Sequence, residues 1–171
     1  MAGTRRALIL SALVSALEAI QTSAGYNTNV KATAGGGGAQ KLTFPFNTAT
    51  KRPVLYVSID SQEPSEQRGA GGTGGGYYEP VCKGAIACLI DVDPADAVDD
   101  KVDTLLADVE KVLLTQAQAD PVLGVAGVVD LMLDGFTYFD PAKGRGPGAE
   151  YRFKVRYRHD STSSATFTGL T

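Results

Sequence analysis

The stretch from residue 93 to residue 118 constrains the fold more than any other. Val98, Val102, Leu105, Val109 and Val112 recur at spacings of three and four, with Leu106 and Leu113 beside them. That spacing gathers them on one stripe of an α-helix. Asp93-Pro94-Ala95-Asp96 reads as its start. Asp93 can accept from free backbone N–H groups, Pro94 suits the first helical position, and Asp96 lies in the positive first turn. Asp99, Asp100, Asp103, Asp108, Glu110 and Lys111 are expected to face solvent. At ~1.5 Å per residue the helix would run ~37 Å. An apolar face of that length needs a sheet to lie on, and strand-like segments flank it on both sides.

The clearest of these is 150–159, where Tyr151, Phe153, Val155 and Tyr157 alternate with Arg152, Lys154, Arg156 and Arg158. One face is apolar and the other cationic. Residues 53–60 alternate in the same way, with Leu55, Val57 and Ile59 on one face. In 80–92, Cys82, Ile86, Cys88, Ile90 and Val92 share the face expected under the helix, with Lys83 and Asp91 opposite. Residues 128–139 form a strand bent at Gly135, and 141–148 is turn material. Residues 29–33 read as a short strand and 41–46, with Pro45, as an edge strand at best. Between the strands of 53–60 and 80–92 lies a polar, then glycine-rich run, 61–79, containing Gly69, Gly71, Gly72 and Gly74. It reads as a long hairpin with a mobile tip. A second glycine run, 35–38, is a flexible turn or arm.

At the N-terminal end, Arg5-Arg6 followed by 7–17 has the outline of a secretory signal, with Leu17-Glu18-Ala19 as a poor cleavage site. However, Ile9, Leu13, Leu17 and Ile20 share a helical face, and Ser11, Ser15 and Glu18 interrupt the apolar run. An amphipathic helix over 4–21 is the better reading, and the run is too short to span a membrane. The expected class is therefore α+β: a largely antiparallel sheet packed by two helices, with a long glycine-rich hairpin. Residues 1–160 form a single domain and 161–171 a polar tail.

Sixteen basic and nineteen acidic side chains leave a net charge of −3, which gives no general attraction to nucleic acid. Cys82 and Cys88 lie in one extended run, ~20 Å apart at ~3.3 Å per residue. A disulfide needs Cα atoms within ~7 Å, so these are expected to be free core thiols. With His159 as the single histidine, a structural zinc site is not expected. The glycines of 69–76 precede Tyr77-Tyr78-Glu79-Pro80 and another strand, not the helix that a dinucleotide site requires. No glycine run continues into a phosphate-binding loop. Asp91, Asp93, Asp96, Asp99 and Asp100 fail the calcium-loop pattern, because Asp96 and Val102 stand where glycine and glutamate are needed. No serine sits in a nucleophile elbow beside His159. No catalytic, cofactor or metal residues are assigned.

The stripe Arg152, Lys154, Arg156 and Arg158 has two readings. It is either a solvated face paired with Asp130 and Asp134, or a surface for an acidic partner or for passing DNA. With Phe139 opposite Tyr151, Asp134 would fall opposite Arg156. No aromatic side chain interleaves with the cations, which disfavours base stacking.

Together the strand Arg52-Pro53-Val54-Leu55-Tyr56-Val57, the long hairpin, the run 85–93 into the Pro94 helix, and Asp134-Gly135-Phe136-Thr137-Tyr138-Phe139 followed by Tyr151-Arg152-Phe153-Lys154-Val155-Arg156-Tyr157 carry a resemblance. The chain resembles the tail terminator, or tail completion, proteins of long-tailed bacteriophages. The resemblance implies a non-enzymatic virion subunit made in the host cytoplasm and placed at the tail–neck junction. It implies a homo-oligomeric, hexameric ring that caps the tail tube, ends its polymerisation and meets the head connector. Its partners would be copies of itself, the major tail tube protein and a connector or head-closure protein. DNA would pass through the lumen without sequence-specific binding, and no membrane or cofactor is implied. Gly69, Gly71, Gly72 and Gly74 would belong to an assembly arm, and the cationic stripe to a partner-facing or lumen-facing surface. Another neck component, such as a head-closure or head–tail joining protein, is the alternative.

Overall fold

The computed structural model describes residues 4–34, 53–63, 67–68, 77–90, 98–139 and 147–160. The expected helix start at 93–96, the glycine runs at 35–38 and 69–76, the weak strand at 41–46 and the tail at 161–171 lie outside these.

The chain begins with helix α1 (Arg5–Glu18), whose first turn is capped by Thr4: its Oγ1 accepts from the N–H of Ala7 at 3.2 Å. Ile9, Leu13 and Leu17 recur every four residues and are fully buried, as is Ile20 just beyond the helix. The segment that resembles a secretory signal is thus a packed core helix. A short turn closes at Gly25, whose φ of 82° suits a residue without Cβ. Strand β1 (Lys31–Ala34) follows, then β2 (Val54–Glu63), β3 (Gln67–Arg68), β4 (Tyr77–Tyr78) and β5 (Val81–Leu89). Helix α2 (Val98–Ala117) leads to β6 (Val128–Tyr138), β7 (Gly148–Tyr157) and β8 (His159–Asp160).

The main sheet has the order β1-β2-β5-β7-β6. The pair β1–β2 is parallel, and the other three pairs are antiparallel. A smaller sheet, β3-β4-β8, was not anticipated from the two-residue segments that form it. The fold is the expected α+β arrangement of two helices and a mostly antiparallel five-stranded sheet.

Both helices pack into one core with the same face of this sheet. Leu55, Val57, Ile59, Cys82, Ile86, Cys88, Tyr151, Phe153 and Val155 line it, all buried. Register explains how the largest of them fits. Gly84 lies opposite Phe153, and a Cβ at Gly84 would sit 2.5 Å from the Phe153 ring and 2.3 Å from the Ser58 carbonyl oxygen. Glycine there makes the space that the ring fills.

Helix α2 buries Val102, Leu105, Leu106, Val109, Val112 and Leu113 as expected, and Val98 is exposed at its start. Asp108 corrects the expectation that it faces solvent: it is 2% exposed. Its carboxylate accepts from the backbone N–H groups of Asn27 and Thr28, from Asn27 Nδ2 and from Thr28 Oγ1, at 2.8–3.2 Å. Four donors around one carboxylate offset its loss of water. They also clamp the turn after α1 onto the middle of α2. Beside this clamp, Lys111 Nζ lies 4.7 Å from the centroid of the Tyr26 ring and donates to the Gly25 carbonyl.

The β6–β7 register is the second correction. Phe136, not Phe139, lies opposite Tyr151, and Asp130, not Asp134, lies opposite Arg156. A straight ladder in the expected register would set Gly135 and Thr137 opposite Val155 and Phe153. The observed one sets Leu131, Leu133 and Phe136 against Val155, Phe153 and Tyr151. It does so by inserting an extra residue between Val128 and Asp130 and another between Leu133 and Gly135. The bend expected at Gly135 is present, and its φ is 89°.

Two substitutions test this core. Leu105→Ala is expected to cost ~2–5 kcal/mol in chemical denaturation, as at other buried leucines. Asp108→Ala is expected to cost ~2–4 kcal/mol, because it strands partly buried donors, whereas Asp99→Ala on the exposed side stays within ~0.5 kcal/mol. Equal effects at Asp108 and Asp99 would remove the clamp from the account of this fold.

Candidate interaction surface

The face of the sheet away from the helices carries the charged side chains. The alternation in β7 is as expected: Tyr151, Phe153, Val155 and Tyr157 are buried, while Arg152 is exposed and Lys154 and Arg156 are half-buried. Each cation has a carboxylate beside it. Lys154 meets Asp134 at 2.8 Å, Arg156 meets Asp130 at 3.5 Å, and Arg152 meets Glu150 at 3.0 Å. On β5, Lys83 is paired with Glu63. Arg158, just after β7, meets the buried Glu79 at 2.8 Å. The two aspartates anticipated as partners are indeed the partners, in the shifted register described above. Gly69, Gly71, Gly72 and Gly74 lie outside the described residues.

These five pairs make the face charge-balanced rather than cationic. Contact with phosphates gains from releasing counterions, and a cation already neutralised within the sheet has little to release. The pairs also differ in strength. Arg152 is 68% exposed, so its pair is screened by water and contributes little. Arg158 holds a carboxylate whose side chain is only 6% exposed. A charge-assisted bond there replaces water that the carboxylate has lost.

The sequence gave no hint of a second surface, at the outer strand. The rings of Phe136 and Tyr138 are 46% and 48% exposed, and Met132 on the same strand is also exposed. The two rings meet edge to face with centroids 5.4 Å apart, and Phe136 also lies 6.1 Å from Tyr151. The Tyr138 hydroxyl donates to Asp103 on α2. That bond stabilises the protonated phenol, and the neighbouring charges of Asp103 and Asp99 act in the same direction, so its pKa is raised.

The remaining titratable core groups are held neutral. Burial pushes the Cys88 thiol up to about 12. Burial also raises Cys82, opposed by Arg6 and by a hydrogen bond with Tyr157, whose own phenol is pushed up to about 12. Both cysteines are free and buried. Among the described residues, no three His, Cys, Asp or Glu side chains are grouped to hold a metal ion. No described helix is long and apolar enough to cross a membrane.

With this geometry in place, the comparison with solved structures is informative. The fold resembles that of a sheath/tube terminator. The matching chain comes from the cryo-EM structure of an extracellular contractile injection system, the PVC sheath/tube terminator in its extended state. The TM-score is 0.51 at 11% sequence identity, covering 100% of this chain and 63% of that one. This chain thus spans less than two thirds of the length of its structural neighbour. No protein-family model and no curated protein matches the sequence.

Three outcomes are expected at these groups. Arg152→Glu changes stability by less than ~1 kcal/mol, whereas Arg158→Glu places like charges together at buried Glu79 and costs ~3–5 kcal/mol in urea unfolding. Asp103→Asn lowers the pKa of Tyr138, measured by NMR titration of its ring, because the carboxylate that favours the protonated phenol is gone. Neither cysteine reacts with a thiol reagent at mildly alkaline pH until the chain is unfolded, since the reactive thiolate is suppressed by burial.

Proposed function

We propose that this chain is a structural subunit that caps the end of a tail tube as a ring, most simply a hexamer. The cap ends polymerisation of the tube and offers a surface to the connector of the head. The observation that carries the reading is the fold likeness to a sheath/tube terminator over the whole of this chain, at a TM-score of 0.51. The sequence resemblance to phage tail terminators, which rests on separate features, points the same way. Its partners are further copies of itself, the tube protein, and a connector or head-closure protein, and its place is the tail–neck junction of a virion.

The charge-balanced face supports a protein-facing or solvent-facing stripe over one that grips DNA. Arg152, Lys154, Arg156 and Arg158 then act through the pattern of their pairs: a partner that offers its own carboxylates or cations must exchange for those already present. DNA passing through the lumen would meet a surface with few uncommitted cations. The glycine-rich run with Gly69, Gly71, Gly72 and Gly74 is the proposed assembly arm. Shortening it should leave thermal stability nearly unchanged, because loop-closure entropy varies slowly with length, and should impair assembly.

The test is tube polymerisation with and without this chain, read by electron microscopy. Sub-stoichiometric chain should halt elongation, with labelled chain confined to tube ends. Unchanged tube lengths and no label at ends would sink the reading. Binding to the connector alone, with no effect on the tube, would point to another neck component.

A further inference from the structure

The two outermost strands of the main sheet differ from its interior in one respect. Among the described residues, no strand lies beyond β1 or beyond β6. An unpaired edge offers a row of backbone donors and acceptors, and soluble proteins usually guard it with charge, proline or brevity. Strand β6 has none of these guards. It is 11 residues long and contains no proline or lysine. Its two charges, Asp130 and Asp134, are already taken up by Arg156 and Lys154. Its outer half instead exposes Met132, Phe136 and Tyr138.

The backbone at this edge can be oriented from one hydrogen bond. The N–H of Phe139 donates inward to the Gly148 carbonyl at 2.9 Å. Successive residues of an antiparallel strand point their N–H and C=O groups to opposite sides. The backbone groups of Phe136 and Tyr138 therefore point outward, beside their own exposed rings. Those rings are held in place by each other, by Tyr151 and by Asp103. The edge thus combines directed hydrogen-bonding groups with a fixed apolar surface, the two requirements for adding a strand.

The opposite edge supplies a match. The N–H of Lys31 donates inward to the Pro53 carbonyl at 3.0 Å, so the backbone of Ala32 points outward from β1. Lys31 itself is exposed. At the other edge, Tyr138 sits among Asp103 and Asp99 of α2. The strand directions also fit. Counting across the sheet from the pairings, β1 runs opposite to β6. A second copy rotated about an axis along the strands would bring its β1 alongside β6 in antiparallel orientation.

We propose that copies of this chain join head to tail by adding β1 of one copy to the outer edge of β6 of the next, with the Phe136 and Tyr138 rings and the Lys31 charge as its side-chain contacts. The contact is heterologous, so repeated rotation closes a ring and continues the sheet from subunit to subunit. This deepens the ring reading above and rests on it for the closure of the assembly.

The experiment is sedimentation of the full chain and of variants at each edge, with circular dichroism on every sample. Tyr138→Pro removes an outward N–H that β6–β7 pairing does not use, and Phe136→Lys replaces an exposed ring by a charge. Both should remain folded and become monomeric. Lys31→Glu, at the other edge, should also lose assembly. An equal mixture of Tyr138→Pro and Lys31→Glu retains one intact junction and should give dimers and nothing larger. Two folded β6 variants that assemble like the wild type would overturn the edge while leaving the ring standing. If Lys31→Glu alone forms dimers and Tyr138→Pro does not, β6 pairs with itself and the head-to-tail junction is overturned. A wild type that stays monomeric, including at tube ends, would overturn both the junction and the ring. If rings form through this edge but tube length is unaffected, the junction holds and the terminator reading fails.

Discussion

Everything in this fold follows from a sheet that can be covered on one face only. Helices α1 and α2 supply the apolar stripes, and every strand of the main sheet has to meet them with alternate residues. Strand β7 shows the consequence most clearly, since its buried residues are all aromatic or branched and its others are all charged. A slip of one residue would drive arginines beneath the helices and Phe153 into water. The space that Gly84 leaves for Phe153 fixes the same register from the neighbouring strand. Packing and pairing therefore specify one alignment together, and charge on the open face reinforces it through Asp130–Arg156 and Asp134–Lys154.

How much of this was legible in the sequence depended on the range of the interaction. Helical stripes are local, and those of α1 and α2 were readable from spacing alone. So was the alternation of β2, β5 and β7. Asp108 was not, because its partners, Asn27 and Thr28, lie in a distant turn. A signal was nevertheless present: Asp108 follows Leu105 by three positions and precedes Val112 by four, which puts it inside the apolar stripe. A carboxylate there must be either wrong for the helix or clamped. The register of β6 was illegible for a different reason. Its two inserted residues cost nothing in composition and are decided by which side chains fill the space over Val155 and Phe153. The same holds for the three short strands of the small sheet, whose two-residue segments carry no period to read.

The charged stripe shows why pattern does not settle function. Read from the sequence, four cations in alternation suggest a site for something acidic. In the fold, carboxylates from β6, from β7 itself and from the residue before Pro80 lie beside them. The outward surface is a mosaic of both signs, suited to setting register and partner choice rather than to holding a polyanion. One pair, Arg158–Glu79, also serves the fold, since its carboxylate is buried. Reversing charge along the stripe is therefore not a uniform perturbation. It tests a surface at Arg152 and the stability of the domain at Arg158.

The bulge before Gly135 links this one-sided sheet to the exposed edge. Up to Leu133, odd-numbered residues of β6 face the helices, as Leu131 and Leu133 do. Without the inserted residue, Gly135 and Thr137 would follow them, and Phe136 and Tyr138 would point to the open face. The insertion reverses the alternation, so that Phe136 and Tyr138 lie on the helix side instead. There Phe136 reaches Tyr151 and Tyr138 reaches Asp103, yet both rings remain about half in water. Gly135, at a φ of 89°, permits the bend at little steric cost. Closing the core at Leu133 alone would not require this device. The bulge also turns two aromatic side chains toward the margin between sheet and helix, where the strand has no neighbour among the described residues, and holds them there.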